Sequence, residues 1–396
     1  MTEKLYYTTP FMTSCEATVL SCEKTAEGCI VTLDRSIIFP EGGGQPADHG
    51  TIDGIRILDA HEKDGVIYHT CAAPVEVGSR CRVELDIARR LDHSEQHTGE
   101  HILSGVAHNL CGAQNVGFHM AADYCTIDLD VFLDEDALSN LEAEANIAVR
   151  RNLPVTAEHM NHERLAQINL RKKSDIKSDD IRVVFIGGGE IDSCTCCGTH
   201  CASTGEVGYI RISDSQKYKG GTRIWFACGS RAVNAANELT RSVTAMARSY
   251  STSREELPAA VRKQSDELTA AKRDLKARTQ TLCDLIAAND ARKIAITTID
   301  GFGANDVKML SESLVSHNAR VALVFGIKDG CTCYRALRAD GESAPMNELV
   351  KAVNALVNGK GGGSPAFAQG SAASSVSSEI INSLESFVEK WYQGNK

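Results

Sequence analysis

Two short segments carry the residues most able to do chemistry. In His97-Thr98-Gly99-Glu100-His101, two imidazoles stand four residues apart within a run, Ser94 to His108, whose pattern predicts a helix. At 3.6 residues per turn, positions i and i+4 share a face, so both rings can reach one metal ion. About a hundred residues later, Cys196-Cys197-Gly198-Thr199-His200 repeats the four-residue step with a thiol and a third imidazole. His97, His101, Cys196 and His200 form a donor set suited to tetrahedral Zn²⁺. Either pair alone is as well explained by surface histidines or an incidental cysteine cluster; both pairs in one chain favour zinc. Cys194, Cys197 and Cys201 are alternate thiol ligands, and Cys196 is preferred for its spacing to His200. Glu100 precedes the second histidine, whereas the general base of an H-E-x-x-H peptidase follows the first, so a peptidase is disfavoured. Counting ligands does not separate a structural ion from a catalytic one. A thiolate ligand would lower the local charge and weaken water activation, which favours zinc as a positioning element and Lewis acid. His119, in Gly-Phe-His-Met, is either near a substrate or a hydrogen-bonded core histidine.

The surrounding chain must position these groups. The pattern predicts an α+β protein in four parts. Residues 1–88 show short apolar runs, such as Cys29 to Leu33 and Val66 to Thr70, separated by Gly, Asp and Pro turns, which suits a small β-barrel. Between two of these runs, Ser36 to Pro46 contains Gly42-Gly43-Gly44 between prolines. That composition excludes a central strand or helix and makes a loop whose backbone can come close to a ligand. Residues 89–235 read as a two-layer α+β zinc-containing unit, with Asp92 or Ser94 capping the metal helix, a second helix over Asp134 to Arg151, and strands at 125–129, 181–186, 205–212 and 223–229. Residues 236–292 are rich in Ala, Glu, Lys, Arg and Leu. Val261, Leu268, Leu275 and Leu282 fall seven apart, which predicts a long helical spacer or coiled coil able to pair chains as a homodimer. Residues 293–396 read as a C-terminal α/β domain, with strands near 293–299, 321–327 and 331–337 and helices over 346–357 and 377–391.

Bulk properties narrow the class. A chain of 396 residues, 42% hydrophobic and 24% charged, is of ordinary globular composition. It holds no apolar run long enough to span a membrane and no apolar signal segment at Met1 to Leu5, so a cytoplasmic location is expected. Fifteen scattered cysteines then read as reduced thiols. A net charge of −10 argues against indiscriminate nucleic-acid binding but leaves room for local basic patches, at Arg89-Arg90, Arg150-Arg151, Arg171-Lys172-Lys173 and Lys217 to Arg223.

These motifs, in this order, resemble the alanyl-tRNA editing family. His97 to Leu103 is similar to its H-T-x-x-H-I-L, and Cys196 to Gly205 to its C-x-G-T-H-x-x-x-T-G. The family comprises the editing domain of alanyl-tRNA synthetase and free-standing AlaX-type proteins. The chain resembles the long AlaX form, with too little sequence before the glycine loop for an aminoacylation domain. The resemblance implies zinc-dependent hydrolysis of the ester on mischarged alanine tRNA, with serine the expected amino acid and glycine second. A synthetic pocket rejects a slightly different side chain by only about 1–3 kcal/mol, so a second hydrolytic sieve is needed. It further implies that His97, His101, Cys196 and Gln45 act in catalysis, and that Ser36, Glu41, Gly43, Gly44, Gln45 and His119 contact substrate. Ser36 stands where the family commonly has Thr, which leaves serine against glycine open. Gly361 to Gly370 resembles the G-G-G-x-P-x-x-A-Q-G motif of the C-terminal domain shared with DHH-type phosphoesterases. That likeness implies tRNA contacts by Lys360, Gly361, Gly362, Gly363 and Gln369, with Ser364 replacing the usual Arg. The competing reading of this stretch is a flexible Gly/Ser linker. For the whole chain, the alternative is a zinc-stabilised tRNA-binding module without catalysis.

Overall fold

The structure is a computed structural model that describes residues 1–26, 28–171, 178–374, 376 and 378–395. Lys172 and Lys173 of one basic cluster, and Ser377 at the expected start of the last helix, lie outside the described residues. The chain divides into two compact units, Met1–Ala245 and Met246–Lys396. Both mix helices and strands, as an α+β reading requires.

The first unit begins with six strands. Ser14–Thr25, Gly28–Leu33, Val66–Cys71, Ile55–Lys63, Gly50–Ile52 and Arg80–Leu85 pair in that order, and the last pairs back with the first. Alternate side chains turn inward, so Val19, Val31, Leu33, Ile57, Ile67 and Val83 form one apolar core. Gly50–Ile52 is too short to announce itself in the sequence, yet it closes the sheet. The chain leaves this sheet after Leu33, pairs Arg35–Ser36 in parallel with Glu3–Lys4, runs through the glycine loop and returns at Gly50.

The metal helix runs from Ile87 to Cys111. It starts well before Asp92 and Ser94, which correct to interior positions. Asp86 is the cap, its carboxylate accepting from Arg89 N at 3.1 Å. Asp92 instead pairs with Arg231, and Ser94 donates to Thr199. Gly112, with φ 70°, ends the helix in the left-handed conformation. Four antiparallel strands lie against this helix and Glu135–Arg150: Ile210–Tyr218, Gly221–Cys228, Cys125–Leu129 and Asn115–Met120, in that order. The strand expected from Gly205 starts at Ile210, because Thr204–Val207 forms a 3₁₀ turn. Ile102, Leu103, Val106, Leu138, Leu141, Ile127 and Phe226 fill the interface between the layers. Gly99 allows the close approach: a Cβ there would lie 2.1 Å from Cys228 Sγ. A third sheet, Val155–Met160, Ile181–Ile186 and Asp192–Thr195, carries the chain to the cysteine segment.

In the second unit, Leu257–Ala288 is one helix of 32 residues. Five strands follow in the order Ile294–Asp300, Val321–Lys328, Cys331–Arg338, Phe367–Ala372, Lys360–Gly363. The first two are parallel, joined through the helix Ala304–His317, and the others are antiparallel. Helices Met346–Val357 and Ser378–Gly394 also belong to this unit. Lys360–Gly363, whose competing reading is a flexible linker, is an edge strand. Pairing with Phe367–Ala372 overrides glycine's poor strand propensity. The pairing also requires glycine, since a Cβ at Gly361 would lie 2.1 Å from Gln369 O.

No helix among the described residues is long and apolar enough to cross a membrane.

Candidate metal centre and its cavity

His97 and His101 project from one face of the helix, and Cys196 and His200 meet them from the loop after Asp192–Thr195. One donor atom from each lies within 4.8 Å of the others. Cys196 Sγ is 3.4 Å from Nε2 of both His97 and His200. The far nitrogens of the rings are all engaged. His97 Nδ1 is 2.8 Å from Gln45 Oε1, His101 Nδ1 is 2.7 Å from Asp192 Oδ2, and His200 Nδ1 is 3.3 Å from Thr98 Oγ1.

These partners determine the tautomers. Gln45 Oε1 also accepts from Thr199 N at 3.1 Å, while Gln45 Nε2 donates to Thr199 Oγ1 at 2.9 Å, so the amide orientation is fixed. His97 must then donate from Nδ1, which leaves a lone pair on Nε2. His101 Nδ1 faces the Asp192 carboxylate, which Arg171 grips with two contacts at 2.7 and 3.2 Å; burial pushes this ring down, but Glu100, Cys196 and Asp192 around it hold it well above its ordinary range. Imidazoles held in this way by a carboxylate or amide oxygen are the usual outer support of a metal site. Burial pushes the Cys196 thiol up, but the three imidazoles around it overturn that effect and hold it well below its ordinary range. A thiolate and three imidazole nitrogens converging on one point fit zinc, whose binding would displace any ring proton there.

Backbone anchors fix the cysteine loop. Arg182 donates to the carbonyls of Cys196 and Gly198, at 2.7 and 3.1 Å, and stacks 4.7 Å from the Tyr7 ring centroid. Tyr7 Oη donates to Cys197 O. Gly198 has no room for a side chain, because a Cβ would lie 2.1 Å from His97 Cε1 and 3.0 Å from Gln45 Oε1.

His97, His101 and Cys196 open onto a cavity of about 810 Å³. Gly43, Glu100, Asn115 and Phe118 line it, and Arg171 and Arg182 contribute to its wall. The glycine loop reaches this cavity: Gly43, with φ 63°, faces open space, and Gly44 packs so tightly on Phe118 that a Cβ would lie 2.8 Å away. Sequence reasoning anticipated the quartet and the loop. It did not anticipate Asp192, Arg171, Thr98 or Asn115, which become neighbours only through folding.

The other expected contacts are distributed differently. Gln45 is fully buried and supports His97 and Thr199, behind the cavity wall. Ser36 is sealed in the closed sheet. Its hydroxyl accepts from Ile38 N at 3.1 Å and donates to His69 Nε2 at 2.9 Å, since His69 Nδ1 donates to Val31 O. Burial lowers His69 to about 4, which keeps this ring neutral. His119 is exposed on the strand Asn115–Met120, next to the cavity-lining Phe118. Glu41 is also exposed, close to Asp59 and His61. Cys194 and Cys197 line the cavity, and Cys201 is buried with its N–H on Thr98. Of the basic clusters, Arg90 is wholly buried against Asp48, and Arg223 is paired with Asp128. In the second unit, Lys360, Gly361, Gly362 and Gln369 line a cleft of about 410 Å³ with Arg335, and Gly363 lies just beyond it on the same strand.

A helix-borne histidine pair is thus completed by a Cys/His loop beside a ligand-sized cavity. Residues 181–224 match the family described as the threonyl and alanyl tRNA synthetase second additional domain, and residues 291–392 match the DHHA1 domain. The chain is 30% identical to the alanyl-tRNA editing protein AlaX-L of Pyrococcus horikoshii, over 93% of this chain and 94% of that protein. It therefore belongs to the alanyl-tRNA editing protein family. It is also 31% identical to the alanyl-tRNA editing protein Aarsd1 of Rattus norvegicus, over 57% of each chain. An alanine–tRNA ligase of Methanopyrus kandleri is 29% identical over 93% of this chain, which spans 42% of the ligase.

Proposed function

We propose that the chain is a trans-editing aminoacyl-tRNA hydrolase that removes serine, with glycine second, from mischarged alanine tRNA in the cytoplasm. The observation that carries this reading is the meeting of His97, His101, Cys196 and His200, the first three of which line the cavity that Gly43 also lines. Zinc held there would supply a Lewis acid and a positioning charge at the ester end of the tRNA. Gln45, Asp192 and Thr98 hold the imidazoles with Nε2 turned inward. Burial pushes Asp192 up, but His101 and Arg171 together hold its carboxyl below the usual range, and Arg182 fixes the carbonyls of the cysteine loop. Gly43 leaves open backbone beside the site, and Phe118 supplies an apolar wall that helps exclude water. The cleft at Lys360, Gly361, Gly362 and Gln369, with Gly363 beside it, is the proposed contact for the tRNA body. Its glycine edge and two cations suit a phosphate backbone.

Purified protein should deacylate seryl-tRNA(Ala) and spare alanyl-tRNA(Ala). A strong chelator should stop the reaction and added zinc restore it. Retained tRNA binding without deacylation, at any metal load, would leave only a zinc-stabilised binding module.

We also propose a homodimer through the helix Leu257–Ala288. Val261, Leu268, Leu275 and Leu282 remain 38–67% exposed along its seven-residue stripe. Sedimentation equilibrium at micromolar concentration should give twice the 42.7 kDa chain mass. A single-chain mass would sink this part of the proposal.

A further inference from the structure

Glu100 was set aside in the sequence because its position does not match that of a peptidase base. Folding gives it a different significance. It is 4% exposed and lines the cavity beside the metal quartet. Its Oε1 accepts from Ser104 Oγ and from Asn115 Nδ2, both at 2.6 Å. Asn115 is itself locked, because its Oδ1 accepts from Gly117 N at 2.9 Å. The second oxygen, Oε2, takes no hydrogen bond among the described residues and is ion-paired only with His101 Nε2, at 3.7 Å; a metal on that ring would leave Oε2 with no partner cation. One oxygen is thus clamped and the other is presented at the edge of the metal centre. Among the described residues, Asp180 is the other carboxylate lining the cavity, and it is exposed and paired with His159 at 2.8 Å. Asp192 is spent on Arg171 and His101.

An aminoacyl ester differs from any other ester by the ammonium group one bond from its carbonyl. A buried carboxylate with one oxygen free of hydrogen bonds is the group suited to recognise that cation. We propose that Glu100 is a specificity-determining residue that receives the α-ammonium of the aminoacyl group through Oε2, with Ser104 and Asn115 holding it in place. This rests on the editing reading and deepens it. It assigns the amine to the protein and leaves the ion to the ester or the terminal ribose.

The test pairs one substitution with one change of substrate. Glu100→Gln keeps the shape and can still accept from Ser104 and Asn115. The substrates are seryl-tRNA(Ala) and its deaminated counterpart, the glyceryl ester, in which a hydroxyl replaces the amine. The rate lost by the variant should be about 10- to 100-fold larger on the seryl ester than on the glyceryl ester, as expected for losing a charged hydrogen bond. Bound zinc should be unchanged. Equal losses on both esters, or loss of the metal, would overturn the assignment, because Glu100 would then act on the chemistry or as a ligand. If the wild-type chain hydrolysed neither ester, the editing reading would fail, and binding would still decide the Glu100 question. The non-hydrolysable 3′-seryl-amino-3′-deoxyadenosine should bind the variant about 10-fold or more weakly than the wild type. Equal binding by the two proteins would reject the proposal.

Discussion

Replacing Cys196 by Ser should remove the bound metal and lower deacylation about 100- to 1,000-fold, while Cys197→Ser should retain both. A charge-stabilising metal site contributes several kcal/mol to a transition state, and each 1.36 kcal/mol is a tenfold change in rate. The two neighbouring thiols differ in what surrounds them. Cys196 Sγ lies 3.4 Å from two imidazole nitrogens and receives Gly198 N at 3.2 Å. Those neighbours favour the thiolate. The Cys197 thiol is exposed and pushed up by burial of its surroundings and by the adjacent Cys196. It belongs to no group of converging donors among the described residues. Measured zinc per chain, alongside the rate, separates loss of the ion from loss of chemistry. Full zinc and full activity in the Cys196 variant would remove the basis of the proposed centre. Loss of zinc in Cys197→Ser would transfer the ligand to that position. Because metal binding and folding are coupled, circular dichroism should accompany both measurements.

The parts of this site that the sequence discloses are those set by local periodicity. His97 and His101 share a face because a helix repeats every 3.6 residues, and Cys196 and His200 advertise themselves by a similar step. Three glycines between prolines require an irregular loop in any fold. What stays hidden depends on contacts distant along the chain. Asp192 lies 91 residues from His101, and Gln45 lies 52 residues from His97. Nothing around Asp192 marks it as a support for an imidazole. Ser36 shows the opposite error. The family resemblance assigns it to substrate, yet strand pairing of Arg35–Ser36 with Glu3–Lys4 and the hydroxyl's bond to His69 occupy it internally. His119 is another such case: Asn115, Val116, Gly117 and Phe118 on its strand line the cavity, and His119 is exposed outside that lining. The Lys360–Gly363 segment misleads for a related reason. Glycine has little strand propensity of its own, and only the partner Phe367–Ala372 makes it a strand.

Arg90→Ala should destabilise the first unit by about 3–5 kcal/mol, because it strands a buried carboxylate. Arg90 is 0% exposed and lies against Asp48, which is equally buried. Its guanidinium donates to Asp48 Oδ2 at 3.0 Å from Nε, to Ile37 O at 2.7 Å, and to Pro10 O. Asp48 otherwise receives only Phe39 N, at 2.7 Å, and its Oδ1 has no partner among the described residues. Removing the arginine therefore leaves an anion with a single hydrogen bond in an apolar core. The same contacts tie both ends of the glycine loop to the metal helix, so the loss should spread to Gln45 and then to His97. Trp225 lies in the first unit and Trp391 in the second. In a Trp391→Phe background, fluorescence during urea unfolding reports the first unit alone, and its midpoint should fall sharply. Adding Asp48→Asn to Arg90→Met should recover much of the stability, since no charge is then left buried and the introduced amide oxygen can still accept from Phe39 N. An unchanged midpoint in Arg90→Ala would mean that the Asp48 carboxylate is compensated by some other group, and that the loop is held to the helix by packing rather than by this ion pair.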